Sequence, residues 1–276
     1  MPPEPRSVTP ILGAPRVGVP MVMGIVNVTP DSFSDGGRFL DTAAAVAHGL
    51  ELFAEGASIV DVGGESTRPG AAPVDLDEEI RRVVPVIEQL AGHGRVSIDT
   101  RKPEVARAAV AAGATLINDV SAQLWPVAAD LGVGWVAMHM QGEPATMQLQ
   151  PTYTDVVAEV CAFLERRAAQ AAQAGVTEVW IDPGFGFGKT VEHNLDLLAH
   201  LDRVVALGHR VLVGTSRKAT LGQLLADSDG VAEPVGPEDR LAGSIASEVW
   251  AMHLGAAMIR VHDVKAAVQA AKVVAA

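Results

Sequence analysis

The sequence predicts an α/β protein folded as one (β/α)8 TIM barrel, and three observations carry that prediction. Eight short β-rich apolar runs recur along the 276 residues, each followed by a polar or glycine-containing turn and then an Ala/Leu/Val pattern at helical spacing. Glycines stand where helix C-caps are expected, at Gly56, Gly113, Gly132, Gly175, Gly208 and Gly255. Eight strand and helix alternations in roughly 250 residues suit a closed barrel better than an open doubly wound sheet, which usually has fewer strands.

In order, the strands are expected at Met21 to Val28, Ser58 to Val62, Arg95 to Ile98 and Thr115 to Ile117, then Gly134 to Met138, Glu178 to Ile181, Arg210 to Val213 and Met258 to Val261. The intervening helices are expected at Thr42 to Glu55, Leu76 to Leu90, Lys102 to Ala112, Pro126 to Leu131, Thr154 to Ala174, Val191 to Leu207 and Arg240 to Leu254. A last helix runs from Val264 to Val274. Residues 1–20 hold six prolines and no apolar signal core, so they read as an irregular tail ahead of a barrel over 21–276. The acidic, Gly/Pro-rich stretch Asp227 to Asp239 reads as a surface loop.

Composition narrows the function. With 33 Asp+Glu against 21 Lys+Arg the net charge is −12, which argues against nucleic acid as the main partner. A chain that is 49% hydrophobic and 20% charged buries a sizeable core, and with 4% aromatics that core is aliphatic. The single cysteine, Cys161, excludes an intrachain disulfide and a cysteine-rich zinc site. Charged residues interrupt every long apolar run, so no membrane span is expected, and the cytoplasm is the default compartment.

In such a barrel catalytic groups sit at the carboxyl ends of the strands. Here those ends read Asn27, Gly63-Gly64-Glu65, Asp99, Asn118-Asp119, His139, Asp182, Ser216-Arg217-Lys218, and Arg260 with His262. Asp99, Asn118 and Asp182 suit paired hydrogen bonds to a flat, donor-rich heterocycle, guanine-like or pterin-like. Ser216, Arg217, Lys218, Arg260 and His262 follow the seventh and eighth strands, where barrels often bind phosphate; ordinary ion pairing is the alternative for Arg217 and Arg260. Two segments, Thr29 to Gly37 and Gly63 to Ala71, read as lids that bring Phe33, Asp35 and Arg68 to the site, or else as surface turns. The string from Asp182 to Thr190 is not a P-loop, because Pro183 replaces its first glycine, and the histidines lack zinc-site spacing. Any metal should be a hard ion carried with phosphate.

Taken together, MGIVNVTPDSFSDGG, DVGGESTRPGA, SIDT, INDVSA, DPGFGFGKT, GTSRKATLG and IRVHDV resemble, in order, the segments of the dihydropteroate synthase family. The resemblance implies a transferase of folate biosynthesis. It condenses 6-hydroxymethyl-7,8-dihydropterin diphosphate with 4-aminobenzoate, with Mg²⁺ assistance, to give 7,8-dihydropteroate and pyrophosphate. By the same resemblance Asp99, Asn118, Asp182 and Lys218 hold the pterin, lined by Ile117, Met138 and Phe187. Asn27, Thr67, Arg260 and His262 receive the diphosphate, with Asn27 near the magnesium. Phe33, Thr67, Arg68, Pro69 and Ser216 form the 4-aminobenzoate site, and Asp35 stabilises the developing cation. Asp35, Arg68, Lys218, Arg260 and His262 are then the catalytic set. Sulfonamides are the implied inhibitors and a homodimer the implied assembly. The rival readings are a non-catalytic pterin-binding paralogue and a pterin-dependent methyltransferase domain. One departure stands at Gln141, where many family members carry arginine.

Overall fold

The computed structural model describes residues 19–29, 38–67 and 70–276, with the backbone alone at 38–41. The tail expected over residues 1–20 therefore lies outside the described residues up to position 18. Eight parallel strands follow one another around a closed barrel: β1 (Met21–Asn27), β2 (Ile59–Gly63), β3 (Arg95–Asp99), β4 (Leu116–Asp119), β5 (Gly134–Met138), β6 (Val179–Asp182), β7 (Arg210–Val213) and β8 (Met258–Val261). Closure is made by β8 pairing with β1, Met258 opposite Met21 and Arg260 opposite Met23. Outside lie α1 (Arg38–Ala54), α2 (Leu76–Leu90), α3 (Pro103–Ala111), α4 (Trp125–Leu131) and α5 (Val156–Gln173). The ring continues with α6 (Val191–Ala199), α7 (Leu201–Val205), α8 (Ala219–Asp229), α9 (Leu241–Leu254) and α10 (Val264–Ala275). None of the described helices is long and apolar enough to cross a membrane.

Because side chains alternate across a strand, each strand sends one set of residues into the barrel and the next set toward the helices. The outward set, with Val22, Val26, Val60, Val62, Val96 and Ile98, packs against the helices as an aliphatic layer. The inward set forms a separate floor: Met23, Ile59, Leu116, Val136, Trp180, Leu212 and Met258, all buried, with Ser97 in the place owed by β3. Below it, Arg95 grips Glu178 through two hydrogen bonds of 2.9 and 2.6 Å, and Glu178 also accepts from the Trp180 indole at 2.8 Å. One pleat step above the floor every strand contributes its second inward residue, and these build the site.

Two helices depart from expectation. The helix expected over 191–207 is broken at His200 into α6 and α7. Helix α8 was not expected at all, and it absorbs the first residues of the acidic stretch; the rest includes a short 3-10 turn, Pro237–Asp239. Gly222 in the middle of α8 weakens the helical signal, yet a Cβ there would fall 2.5 Å from Arg240 Nε and 2.6 Å from the Val235 carbonyl. The glycine lets the returning loop pack on the helix.

Helix α9 buries a carboxyl with no evident structural use. Glu248 is 1% exposed, and its Oε2 has no hydrogen-bond partner among the described residues. Burial, with Asp263 nearby, pushes this group up to about 8. The folded chain therefore holds a proton that the unfolded chain gives up near its ordinary value, so stability falls as pH rises through that interval. Glu248→Gln should consequently be stabilising, by a margin that grows from pH 4.5 to 8 and levels off above; urea denaturation at a series of pH values measures it.

Candidate active site

The second inward layer reads, strand by strand, Ile25, Asp61, Asp99, Asn118, Met138, Asp182, Gly214 and Arg260, each two residues after its floor residue. Two sequence steps thus turn an apolar floor into a polar chamber. Arg260 reaches across it, donating from Nε to Asp61 Oδ2 at 2.7 Å and from Nη2 to Asp99 Oδ2 at 2.8 Å. Asn118 Nδ2 donates to the same Asp61 oxygen at 2.8 Å. Asp61 is fully buried and its Oδ1 has no partner among the described residues.

Asp61 was absent from the candidates read from the sequence. The signal was a lone charge inside the apolar run SIVDV, at the same inward parity as Ile59.

The remaining groups close the chamber from above. Lys218 Nζ lies 4.0 Å from the centre of the Phe187 ring, a cation–π contact. Burial, together with Arg260, pulls the Lys218 ammonium down to about 8. Burial pushes the Asp182 carboxyl up to about 6, against the Gly184 N–H that it accepts at 2.7 Å. Burial likewise pushes Asp99 up, opposed by the Arg260 charge. At the rim Ser216 Oγ accepts from the His262 backbone N–H at 3.1 Å and lies 3.2 Å from His262 Nδ1. Burial and then Arg260 hold the His262 imidazole down to about 3, so it is neutral at physiological pH. Asn27 ends β1 at the same rim.

Alternation also removes residues from the site. Ile117, expected in the heterocycle pocket, packs instead in the layer between sheet and helices, because its neighbour Asn118 takes the inward position. His139 turns outward after Met138 and meets Phe163 of α5 edge-on, ring centres 5.0 Å apart. Asp119 turns outward after Asn118 and accepts from the Ser121, Gln123 and Leu124 backbone N–H groups and the Trp135 indole, so it shapes the β4 to α4 turn. Arg217 follows the ion-pair alternative: Asp263 accepts two of its hydrogen bonds, at 3.0 and 2.7 Å. Its backbone is left-handed, φ +56°, fixed by Ser244 Oγ accepting its N–H and by Arg240 donating to its carbonyl. Thr67 is half-buried on the β2 to α2 loop. Phe33, Asp35, Arg68 and Pro69 lie outside the described residues.

The glycine-rich segment that failed as a P-loop has another role. Lys189, 3% exposed, sends its ammonium to the Gly184 and Phe187 carbonyls at 3.0 Å each, and sits 3.0 Å from His139 Nδ1. The loop so pinned carries Phe187 onto Lys218 and the Gly184 N–H onto Asp182.

A closed parallel barrel with a buried acceptor-rich chamber and cations at its rim defines a class: an enzyme that binds a flat polar heterocycle bearing an anion. Residues 23–262 match the family described as pterin binding enzyme. The dihydropteroate synthase of Escherichia coli K12 is 49% identical over 265 residues, covering 93% of this chain and 91% of that protein. A structure of Xanthomonas albilineans dihydropteroate synthase with 4-aminobenzoic acid superimposes with a TM-score of 0.84 at 53% identity, over 92% of each chain. A Yersinia pestis dihydropteroate synthase in a sulfonamide drug complex superimposes with a TM-score of 0.85 at 44% identity, over 93% of each. The chain belongs to the dihydropteroate synthase family.

Gly184 tests how the pocket is held. Its φ is +69°, and a Cβ there would fall 1.8 Å from the His139 carbonyl oxygen, so the backbone must move. Gly184→Ala should leave the barrel folded by circular dichroism while weakening pterin binding by about tenfold, because the displaced backbone carries its N–H away from Asp182; isothermal titration with a pterin measures it.

Proposed function

We propose the following division of labour for the reaction of this family, which joins the pterin-methyl carbon of 6-hydroxymethyl-7,8-dihydropterin diphosphate to 4-aminobenzoate and releases pyrophosphate. The observation that carries it is the composition of one layer. Asp61, Asp99 and Asp182 face Arg260 and Lys218, three carboxyls against two cations around Asn118. That surplus of acceptors suits the N–H edge of a pterin ring. Asp182 and Asn118 take the ring edge, Asp99 the opposite side, Lys218 the ring carbonyl, and Met138 and Phe187 the faces.

The leaving group belongs at the rim. Arg260 and His262 receive the diphosphate, with Thr67 above. A magnesium ion fits beside them: Gly63 lacks a side chain, and Asp99 Oδ2 and Asn27 Oδ1 stand 3.8 and 3.9 Å from the point a Cβ would fill. These are hard oxygen donors, and Asn27 would hold the ion together with diphosphate oxygens and water. Bound there, the ion would supply charge neutralisation for the pyrophosphate leaving group.

As the carbon–oxygen bond to the diphosphate breaks, the methylene carbon becomes electron-poor, and Asp35 stabilises it. The neutral arylamine attacks that carbon and then loses a proton, so no strong base is required. Most of the acceleration comes from positioning and electrostatics. Ser216, beside the uncapped N-terminus of α8, offers donors for the 4-aminobenzoate carboxylate, with Phe33, Thr67, Arg68 and Pro69 completing the site. Sulfonamides compete at this second site. The chain acts as a cytoplasmic homodimer, its contact face formed by α6 and α9, where Leu195, Leu241 and Trp250 are exposed.

The test follows dihydropteroate formation from Mg²⁺, pterin diphosphate and labelled 4-aminobenzoate. The native chain should form product, and Asp35→Ala should be slower by about a hundredfold or more. Pterin binding without product from either protein would point to a non-catalytic paralogue, and absence of pterin binding would overturn the reading.

A further inference from the structure

The loop from β2 to α2 is tied at both ends to one ammonium group. Lys102, just before α3, donates to Glu65 Oε2, to the Val74 carbonyl and to Glu79 Oε2 of α2, each at 2.6 Å. Glu65 Oε2 also accepts the Val74 N–H at 2.9 Å, so two points nine residues apart share one knot. Glu65 Oε1 accepts from Arg101 Nε at 3.1 Å, and Glu79 Oε1 accepts from Thr100 Oγ1 at 2.7 Å. Arg82 holds the Gly64 carbonyl at 2.9 Å. Glu65 and Glu79 are each met by a cation here, Arg101 also reaching Glu143 at 3.2 Å, and Glu79 is 1% exposed, so the knot is partly dry. Burial opposes both charges, yet pairing still holds the Glu65 carboxyl below its ordinary range and the Lys102 ammonium above its own.

None of these groups belongs to the polar layer that faces the pterin. What they fix is the loop that carries Thr67. We propose that Lys102, acting through Glu65 and Glu79, is a positioning residue for the second substrate: it anchors both ends of the β2 to α2 loop and so sets the affinity for 4-aminobenzoate without touching it. The inference rests on the assignment of that loop to the 4-aminobenzoate site.

The physical reason is entropic as well as electrostatic. A loop whose ends are already joined gives up less freedom when a ligand settles on it. Without the ammonium, Glu65 keeps only Arg101 and Glu79 only the Thr100 hydroxyl, so two largely buried carboxylates face each other under-compensated and the loop ends move apart.

Two readouts on the full chain test it. Hydrogen exchange of peptides covering residues 64–75 should be faster in Lys102→Met. Its KM for 4-aminobenzoate should rise about tenfold, while pterin diphosphate affinity stays within about twofold of native. Lys102→Arg should recover part of the affinity. Should Lys102→Met fail to fold, Glu65→Gln keeps the Lys102 to Glu79 pair and should show the same split more weakly. Unchanged exchange, or equal losses for both substrates, would overturn the proposal. A native chain that makes no dihydropteroate would instead sink the functional assignment, and the exchange result would still decide whether Lys102 anchors the loop.

Discussion

A guanidinium held between two carboxylates inside a closed barrel is the constraint around which this molecule is arranged. Arg260, Asp61 and Asp99 lose most of their hydration there, and such charges persist only when each is met by an opposite charge and hydrogen bonds. The apolar floor beneath them keeps water from entering by the amino-terminal end of the strands. The imbalance of charge above the floor then makes the chamber receptive to a ligand rich in N–H donors. Stability and recognition come from the same handful of contacts.

Around this chamber the chain uses its other cations to hold loops. Lys189 gathers carbonyls of the loop after β6, Arg217 grips Asp263 beside α10, and Lys102 knots the loop after β2. Each of these side chains stands within three residues of one that lines the chamber. The strand-end pairs repeat the division: Asn118 faces in and Asp119 shapes a turn; Met138 faces in and His139 packs on Phe163. Adjacent polar residues in these motifs are therefore not redundant. Alternation sends one to chemistry and its neighbour to architecture.

Most of the fold was legible because barrel strands announce themselves as short apolar runs and their helices close on glycine. All eight strands fall within two residues of their expected bounds. The errors have identifiable causes. Helix α8 hides behind Gly222, which is required for contact with Arg240 and not for chain flexibility. Ile117 was placed by resemblance to the family, where strict parity with Asn118 would have turned it away from the pocket. Asp61 carries no strand-end signal, because the chamber begins one pleat step above the floor, inside the apolar run of β2. The Lys189 and Lys102 contacts join segments distant in sequence, and no local pattern reports them.

The Arg260 to Asp61 contact spans 199 positions, linking the last strand to the second. A chain emerging from the ribosome carries its carboxylates for most of its synthesis before their counter-charge exists. Until β8 is made, Asp61 and Asp99 cannot both be ionised in a dry interior, so the partial barrel stays wet and open at that seam. Sealing of the seam and maturation of the chamber are thus a single late event in the life of the polypeptide, and a truncation that removes β8 forfeits both together.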